Sequence, residues 1–334
     1  MAKKRILSGM RPTGPLHIGH LVGALANWRA LQDEFECYYM VADWHALMSE
    51  YASPADIPKN AIDNVADWLA CGLDPERSVI FVQSDVPEHT ELFMVLSCIT
   101  PLPWLERVPT YKEQMQQIKG KDLTTYAFLG YPALQAADIM IYRASVVPVG
   151  EDQVAHLELT REIARRFNSM YGEVFPEPQP RLTKAARLLG LDGRKMSKSY
   201  GNAIEIGETE ESTAKKIMSM FTDPQRIRRT DPGRPEICNV HAYFEVFAPE
   251  RAPEVAEGCR KAELGCVDCK RELARRLNEH LAPIRDKRTR LLENSKQIED
   301  ILTAGCHRAR HVAAETLNEA REAMGIGRSR LKVD

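Results

Sequence analysis

The chain has no stretch approaching the ~18 consecutive apolar residues that a membrane-crossing helix needs, and the apolar run in its opening MAKKRILSGM is too short for a secretory leader. A cytoplasmic location is therefore expected, and with it a reducing environment in which the eight cysteines are not to be read as disulfides. Internal repeats and low-complexity runs are also missing. So is an excess of one charge: 45 Lys and Arg against 47 Asp and Glu leave a formal net charge of −2. Any polyanion must then be held by a local basic patch. The tail offers one, with 17 Lys and Arg against 12 Asp and Glu from Cys259 to Asp334.

What is present describes an ordinary globular protein, 44% hydrophobic and 28% charged. Its 334 residues are enough for two domains of ~100–200 residues. The first half alternates strand-like and helix-like segments, the signature of a parallel sheet wrapped by helices. Strands are expected at Arg5–Gly9, Cys37–Asp43, Val79–Gln83 and Val146–Val149. Helices are expected at His17–Asp33, Asp56–Cys71, Leu92–Ile99, Tyr111–Ile118, Pro132–Tyr142 and Asp152–Tyr171. PEPQP at Pro176–Pro180 reads as a stiff turn. Beyond Gly207 strand signals nearly vanish, which places a boundary near residues 200–210: an α/β domain of Rossmann type at 1–205 and an all-helical domain at 206–334.

Two segments carry the chemistry. SGMRPTGPLHIGHLVG, Ser8–Gly23, runs from a strand through a Gly/Pro-rich loop into a helix that opens at His17-Ile18-Gly19-His20. A helix N-terminus offers free N–H groups and a positive dipole end to phosphate. Gly19 removes a side chain where a base or ribose could approach the backbone. His17 and His20, three residues apart, can both donate to a polyphosphate. The second segment is GRKMSKSYGN, Gly193–Asn202. There Lys195 and Lys198 supply movable positive charge, as a pentavalent α-phosphate and a departing pyrophosphate require. The two motifs lie about 175 residues apart.

Together HIGH and KMSKS resemble the signature of the class I aminoacyl-tRNA synthetases, and the sequence between them resembles the tryptophanyl and tyrosyl subclass over nearly the whole chain. The resemblance implies in-line attack of an amino-acid carboxylate on the α-phosphate of ATP with Mg²⁺, transfer to tRNA, and a homodimer. It implies that ATP is bound by Arg11, Pro12, Thr13, Gly19, His20, Gly150, Glu151, Asp152, Leu188, Lys195, Met196, Ser197, Lys198 and Ser199, with His17, His20, Lys195 and Lys198 catalytic. Tyr131, Gln135 and Asp138 stand at a spacing that the tyrosyl enzymes share, so this segment leaves tyrosine open. VPVGEDQVAHLELTR at Val147–Arg161, the first loop, and Leu7-Ser8 in place of a strand tyrosine favour tryptophan, and with it tRNA(Trp). An indole pocket needs apolar walls and one acceptor: Leu7, His45, Ile139, Val147 and Val149 are the candidate walls, Asp138 the acceptor, and Gln153 the contact to the substrate's ammonium or carboxylate end.

Four cysteines, Cys37, Cys71, Cys98 and Cys306, sit among apolar neighbours and are expected in the core. The others, Cys238, Cys259, Cys266 and Cys269, form C-x20-C-x6-C-x2-C. Four thiolates suit either Zn²⁺ or an iron–sulfur cluster. The surrounding EGCRKAELGCVDCKREL resembles tryptophanyl enzymes that carry a [4Fe–4S] cluster near the anticodon-recognition surface, which favours the cluster, with Zn²⁺ the alternative. Because these cysteines lie beyond both motifs, their loss is expected to impair tRNA charging while sparing amino-acid activation.

Overall fold

The computed structural model describes residues 3–117, 122–150, 153–182 and 188–327. Five parallel strands, β1 (Arg5–Met10), β2 (Glu36–Val41), β3 (Ser78–Val82), β4 (Val146–Val149) and β5 (Gln179–Leu182), lie in the order β3-β2-β1-β4-β5. β2 is buried at five of its six residues, as a strand covered on both faces must be. β1 pairs with β2 in the register Ser8 opposite Tyr39 and Gly9 opposite Met40, and with β4 on its other side. The chain reverses its direction of travel across the sheet between β1 and β4. That switch point opens a crevice at the C-terminal strand ends, where ligands of open α/β sheets bind.

Helices cover both faces. α1 spans 18–31 and contains a wide π-type turn at Leu21–Leu25. α2 (Asp43–Glu50), α3 (Ile57–Ala70), α4 (Glu88–Ser97), α5 (Leu102–Glu106), α6 (Pro109–Gln117), α7 (Tyr126–Ile141) and α8 (Val154–Tyr171) follow. The C-terminal part contains α9 (Glu210–Met218), α10 (Asn239–Phe247), α11 (Ala252–Arg260), α12 (Cys266–Glu293) and α13 (Ser295–Met324). One hydrophobic cluster joins Ile6 and Tyr39 to Trp28, Trp68, Leu277 and Leu281. The other joins Leu7 and Phe81, on the opposite face, to Leu92, Phe167, Ala309 and Leu317. Residues of the C-terminal helices thus belong to both cores. α13 lies along β3, where Arg308 donates to the carbonyls of Pro75 (2.8 Å) and Ser78 (2.9 Å). The outer edge of the sheet is thereby covered, which removes a template for strand pairing.

The segment expected as a stiff turn at Pro176–Pro180 ends instead in β5, where Pro180 pairs with Val147. An edge strand tolerates proline because the missing N–H can face away from the ladder. α7 starts six residues before the expected Pro132: the Thr125 hydroxyl caps it by accepting from Phe128 N (3.3 Å), and Pro132 lies inside the helix. α4 likewise begins at Glu88, four residues ahead of Leu92. Of the cysteines expected in the core, Cys37, Cys71 and Cys306 are buried but Cys98 is exposed; it sits at the α4 C-cap, where the helix turns to solvent.

Candidate active site

At the switch point, the ends of β1, β2 and β4 and one face of α7 enclose a cavity of ≈ 280 Å³. Leu7, Ser8, His45, Tyr131, Gln135, Asp138, Ile139, Val147, Val149 and Gln153, each singled out from the sequence, all line it. Period-2 alternation on β1 and β4 and helical spacing on α7 bring them together. Gly9, Arg11, Met40, Ala42, Met48, Phe128, Pro148 and His156 complete the lining. Most of these extra residues went unmarked in the sequence, although Phe128 falls one turn from Tyr131 on the same helix and Met40 alternates with Ala42 on the β2 run.

Asp138 is 1% exposed and anchors a network that crosses four elements. Its Oδ1 accepts from Gln83 Nε2 (2.8 Å) and from His89 Nδ1 (2.6 Å), and its Oδ2 accepts from His45 Nε2 (2.8 Å). Beyond it, His89 Nε2 meets the Tyr142 hydroxyl at 2.7 Å. Burial raises the Tyr142 phenol well above its ordinary value. Tyr142 therefore keeps its proton, and His89 Nδ1, facing the carboxylate, is the ring nitrogen that donates to Asp138. Burial pushes the Asp138 carboxyl up, but the bonds from His45 and His89 outweigh it and hold the group at about 2. The result is a buried anion with one acceptor position left on Oδ2. Gln83, His89 and Tyr142 have no local sequence signal; only the fold brings them to Asp138. Farther along the same face of α7 the Tyr131 hydroxyl is 3.4 Å from His156 Nε2, and Gln135 Nε2 is 3.5 Å from Gln153 Oε1.

The two motifs meet beside this cavity. Ile18 N donates to Ile204 O and Ile206 N to Leu16 O, each at 2.9 Å, so the strand leaving the lysine-rich loop runs antiparallel to the entry of α1. His17 N donates to His20 Nδ1 (3.2 Å), and the ring centroids are 3.9 Å apart. Nδ1 of His17 is buried without a hydrogen-bond partner. Burial, then the nearby Lys198 charge, lowers His17 to about 4; burial, His17 and Lys198 lower His20 to about 3. Both imidazoles are neutral at pH 7. A β-carbon at Gly19 would stand 2.9 Å from the His17 ring and 3.4 Å from Met196 Sδ, so only glycine lets the loops close this tightly. Lys198 reaches the first loop, its ammonium 2.8 Å from where a β-carbon on Gly14 would lie. Lys195 is exposed. Thr13 closes a tight turn onto Arg11 O (2.9 Å), Pro12 is buried beside it, and Gly150 O accepts from Gln153 N (3.0 Å). Leu188 and Met196 turn their side chains into the first hydrophobic cluster. Ser197 offers its backbone N–H inward, to Asn202 Oδ1 (2.8 Å). Glu151, Asp152 and the side chain of Ser199 lie outside the described residues.

In the C-terminal part, Cys238, Cys259, Cys266 and Cys269 line one small cavity with Thr222, Arg226, Pro235, Val240, Val255 and Leu264. No three His, Cys, Asp or Glu side chains among the described residues stand close enough to hold a single metal ion.

A sheet with this switch point carries, beside its crevice, two motif-bearing loops closed on each other. Residues 2–282 match the family model described as tRNA synthetases class I (W and Y). The chain belongs to that family. Its relatives point further, to the tryptophan branch. It is 54% identical to a tryptophan–tRNA ligase of Thermotoga maritima, over 96% of this chain and 99% of that one. It is 43% identical to a tryptophan–tRNA ligase of Ralstonia nicotianae, over 98% and 99%. The crystal structure of a tryptophanyl-tRNA synthetase from Campylobacter jejuni, complexed with ADP and tryptophan, superposes with a TM-score of 0.89 at 34% identity, covering 96% of this chain and 100% of that one.

Proposed function

We propose that the protein is a tryptophan–tRNA ligase: it joins L-tryptophan to ATP as tryptophanyl-adenylate, releasing pyrophosphate, and passes the aminoacyl group to tRNA(Trp), releasing AMP. The observation that carries the specificity is Asp138, a buried anion with one vacant acceptor position in a cavity that also offers the apolar walls Leu7, Ile139, Val147 and Val149. An indole has a single N–H to give and a large apolar face to bury. Gln135 and Gln153 stand where the ammonium or carboxylate end would be held. The substrate carboxylate attacks the α-phosphate in line. Lys198, and Lys195 on the same loop, neutralise the charge that grows there and on the departing pyrophosphate. His17 and His20, being neutral, donate N–H bonds to phosphate oxygens without trapping the product as fixed cations would. Mg²⁺ travels with the nucleotide's phosphates and needs no protein cage of its own.

Residues 206–334 form the region that recognises the tRNA anticodon, in keeping with the basic tail. Its four cysteines are read as the ligands of a [4Fe–4S] cluster, with Zn²⁺ the alternative: four thiols from three segments line one cavity with apolar walls. Such a cluster would supply a cross-link between these segments and no step of the reaction. A homodimer is supported by Leu102 (56% exposed) and Tyr126 (72%), apolar residues lining a groove between α4, α5 and α7. A cytoplasmic site accords with eight free thiols. The test is ATP–pyrophosphate exchange with each amino acid. Exchange driven by L-tryptophan, with L-tyrosine far behind, is expected; exchange driven by tyrosine would overturn the reading.

A further inference from the structure

We propose that Asn239 and Tyr243 are positioning residues for the lysine-rich loop, and that through α10 the four-cysteine cavity and that loop behave as one mechanical unit. The inference rests on reading the loop as the place of ATP activation.

The loop leaves the core through Leu189, Gly190 and Leu191, and all three successive carbonyls are held by the C-terminal part. The Tyr243 hydroxyl donates to Leu189 O (2.7 Å), Asn239 Nδ2 to Gly190 O (2.8 Å), and Phe221 N to Leu191 O (2.7 Å). These donors are not surface contacts: Tyr243 is fully buried and Asn239 is 3% exposed. From the other side Gly190 rests against the Asn202 amide, which occupies the space a β-carbon would need. Asn202 then grips the loop itself. Its Nδ2 donates to Lys195 O (3.1 Å) and its Oδ1 accepts from Ser197 N (2.8 Å), the residues flanking Met196. A shift of residues 189–191 is thus passed through one side chain to the backbone that carries both lysines.

The same donors border the cysteines. Cys238 immediately precedes Asn239 as the N-cap of α10, and Thr222 immediately follows Phe221; both line the cavity with Cys259, Cys266 and Cys269. The Phe221 ring also meets the loop tip, 3.4 Å from where a β-carbon on Gly193 would stand. Close packing transmits such displacements because it leaves no slack to absorb them. Damage to the cysteine site should therefore reach amino-acid activation directly, which reverses the expectation drawn from the position of these cysteines beyond both motifs.

The test uses the full-length protein and two readouts, pyrophosphate exchange kinetics and backbone amide hydrogen exchange. Tyr243→Phe removes one oxygen and keeps the packing. It should lower kcat for exchange about 3- to 10-fold, the worth of one hydrogen bond, leave KM for tryptophan unchanged, and speed amide exchange in residues 189–202 but not in β1 and β2. Cys238→Ser should give the same signature. If that variant does not fold, wild-type protein before and after treatment with a metal chelator is compared by amide exchange over 189–202. Wild-type kcat with unaltered loop protection in Tyr243→Phe would overturn the positioning role. An unaltered loop after loss of the cysteine site would overturn the coupling. Wild type lacking tryptophan-dependent exchange would instead fault the functional reading, and amide exchange, which needs no activity, would still judge this proposal.

Discussion

Asp138 shows at the scale of one residue how burial and hydrogen bonding compete. An isolated buried carboxyl would be driven to protonate; the bonds from His45 and His89 keep this one charged at about 2, and with Gln83 they fix its orientation. Asp138→Asn keeps one acceptor oxygen but puts an NH2 where His45, His89 or Gln83 already donates. We expect KM for tryptophan to rise about 10- to 100-fold, corresponding to ~1.5–3 kcal/mol for a charge-assisted bond, with KM for ATP little changed. An unaltered tryptophan KM in the exchange assay would remove Asp138 from the indole N–H. The histidines of the first motif give a pH signature. Their folded values of about 3 and 4 lie below the ordinary 6.5, so on acidification the unfolded chain takes up protons first. The stability tied to His20 is complete above pH 6.5 and is lost as pH falls toward 3. At pH 5 the loss is ~2 kcal/mol. His20→Gln should therefore show a shallower fall of Tm between pH 7 and 5 than wild type; parallel curves would refute this. The lining residues on β1, β4 and α7 were legible because strand and helix periods are local. His89 was not, since its partner lies 49 residues away and nothing in VPEHTELF marks it.

At the scale of elements, the motifs were legible for the same reason: each is a contiguous loop whose chemistry is written in adjacent residues. What the sequence did not reveal is that the strand following the second motif pairs with the entry to the first, or that β5 continues the sheet through a proline. Both depend on partners far along the chain, and a proline signal cannot tell a turn from an edge. The pairing makes Lys198, not Lys195, the lysine that rests against the first loop in this closed arrangement. On the proposed reading its charge acts on phosphate oxygens as the adenylate forms, so Lys198→Ala should slow single-turnover adenylate formation by about 10²-fold or more while the Kd for tryptophan stays near the wild-type value. A large loss of tryptophan affinity with an unaltered chemical step would place Lys198 in substrate binding instead.

Over the whole molecule, the C-terminal helices act as struts for the α/β sheet and its loops. α12 begins at Cys266 and Cys269 and ends beside α3, where Arg288 Nε donates to Asp67 Oδ1 (2.7 Å) and Nη2 to Asp63 Oδ1 (3.4 Å). On the way Arg285 donates to Thr213 Oγ1 (2.7 Å) and Ile206 O (3.3 Å), bracing the strand that pairs with Leu16. Asp67 is 1% exposed and also accepts a hydrogen bond from Leu16 N, the residue before His17. Burial raises the Asp67 carboxyl to about 6 even with Arg288 beside it. Removing the arginine strands a buried anion. Arg288→Met should cost ~3–5 kcal/mol near pH 7, measured by denaturant unfolding. The sign with pH follows from the lost cation: without Arg288 the Asp67 carboxyl is driven still higher than in wild type, so the variant takes up that proton at higher pH and the deficit shrinks as pH falls from 7 toward 5. Replacing Asp67 by Asn in the same chain should restore much of the lost stability, because the stranded charge is then gone. A double variant as unstable as Arg288→Met alone would mean that Arg288 acts through its packing against α3 and Gly207, and the electrostatic link from the cysteine-bearing helix to the first motif would be lost.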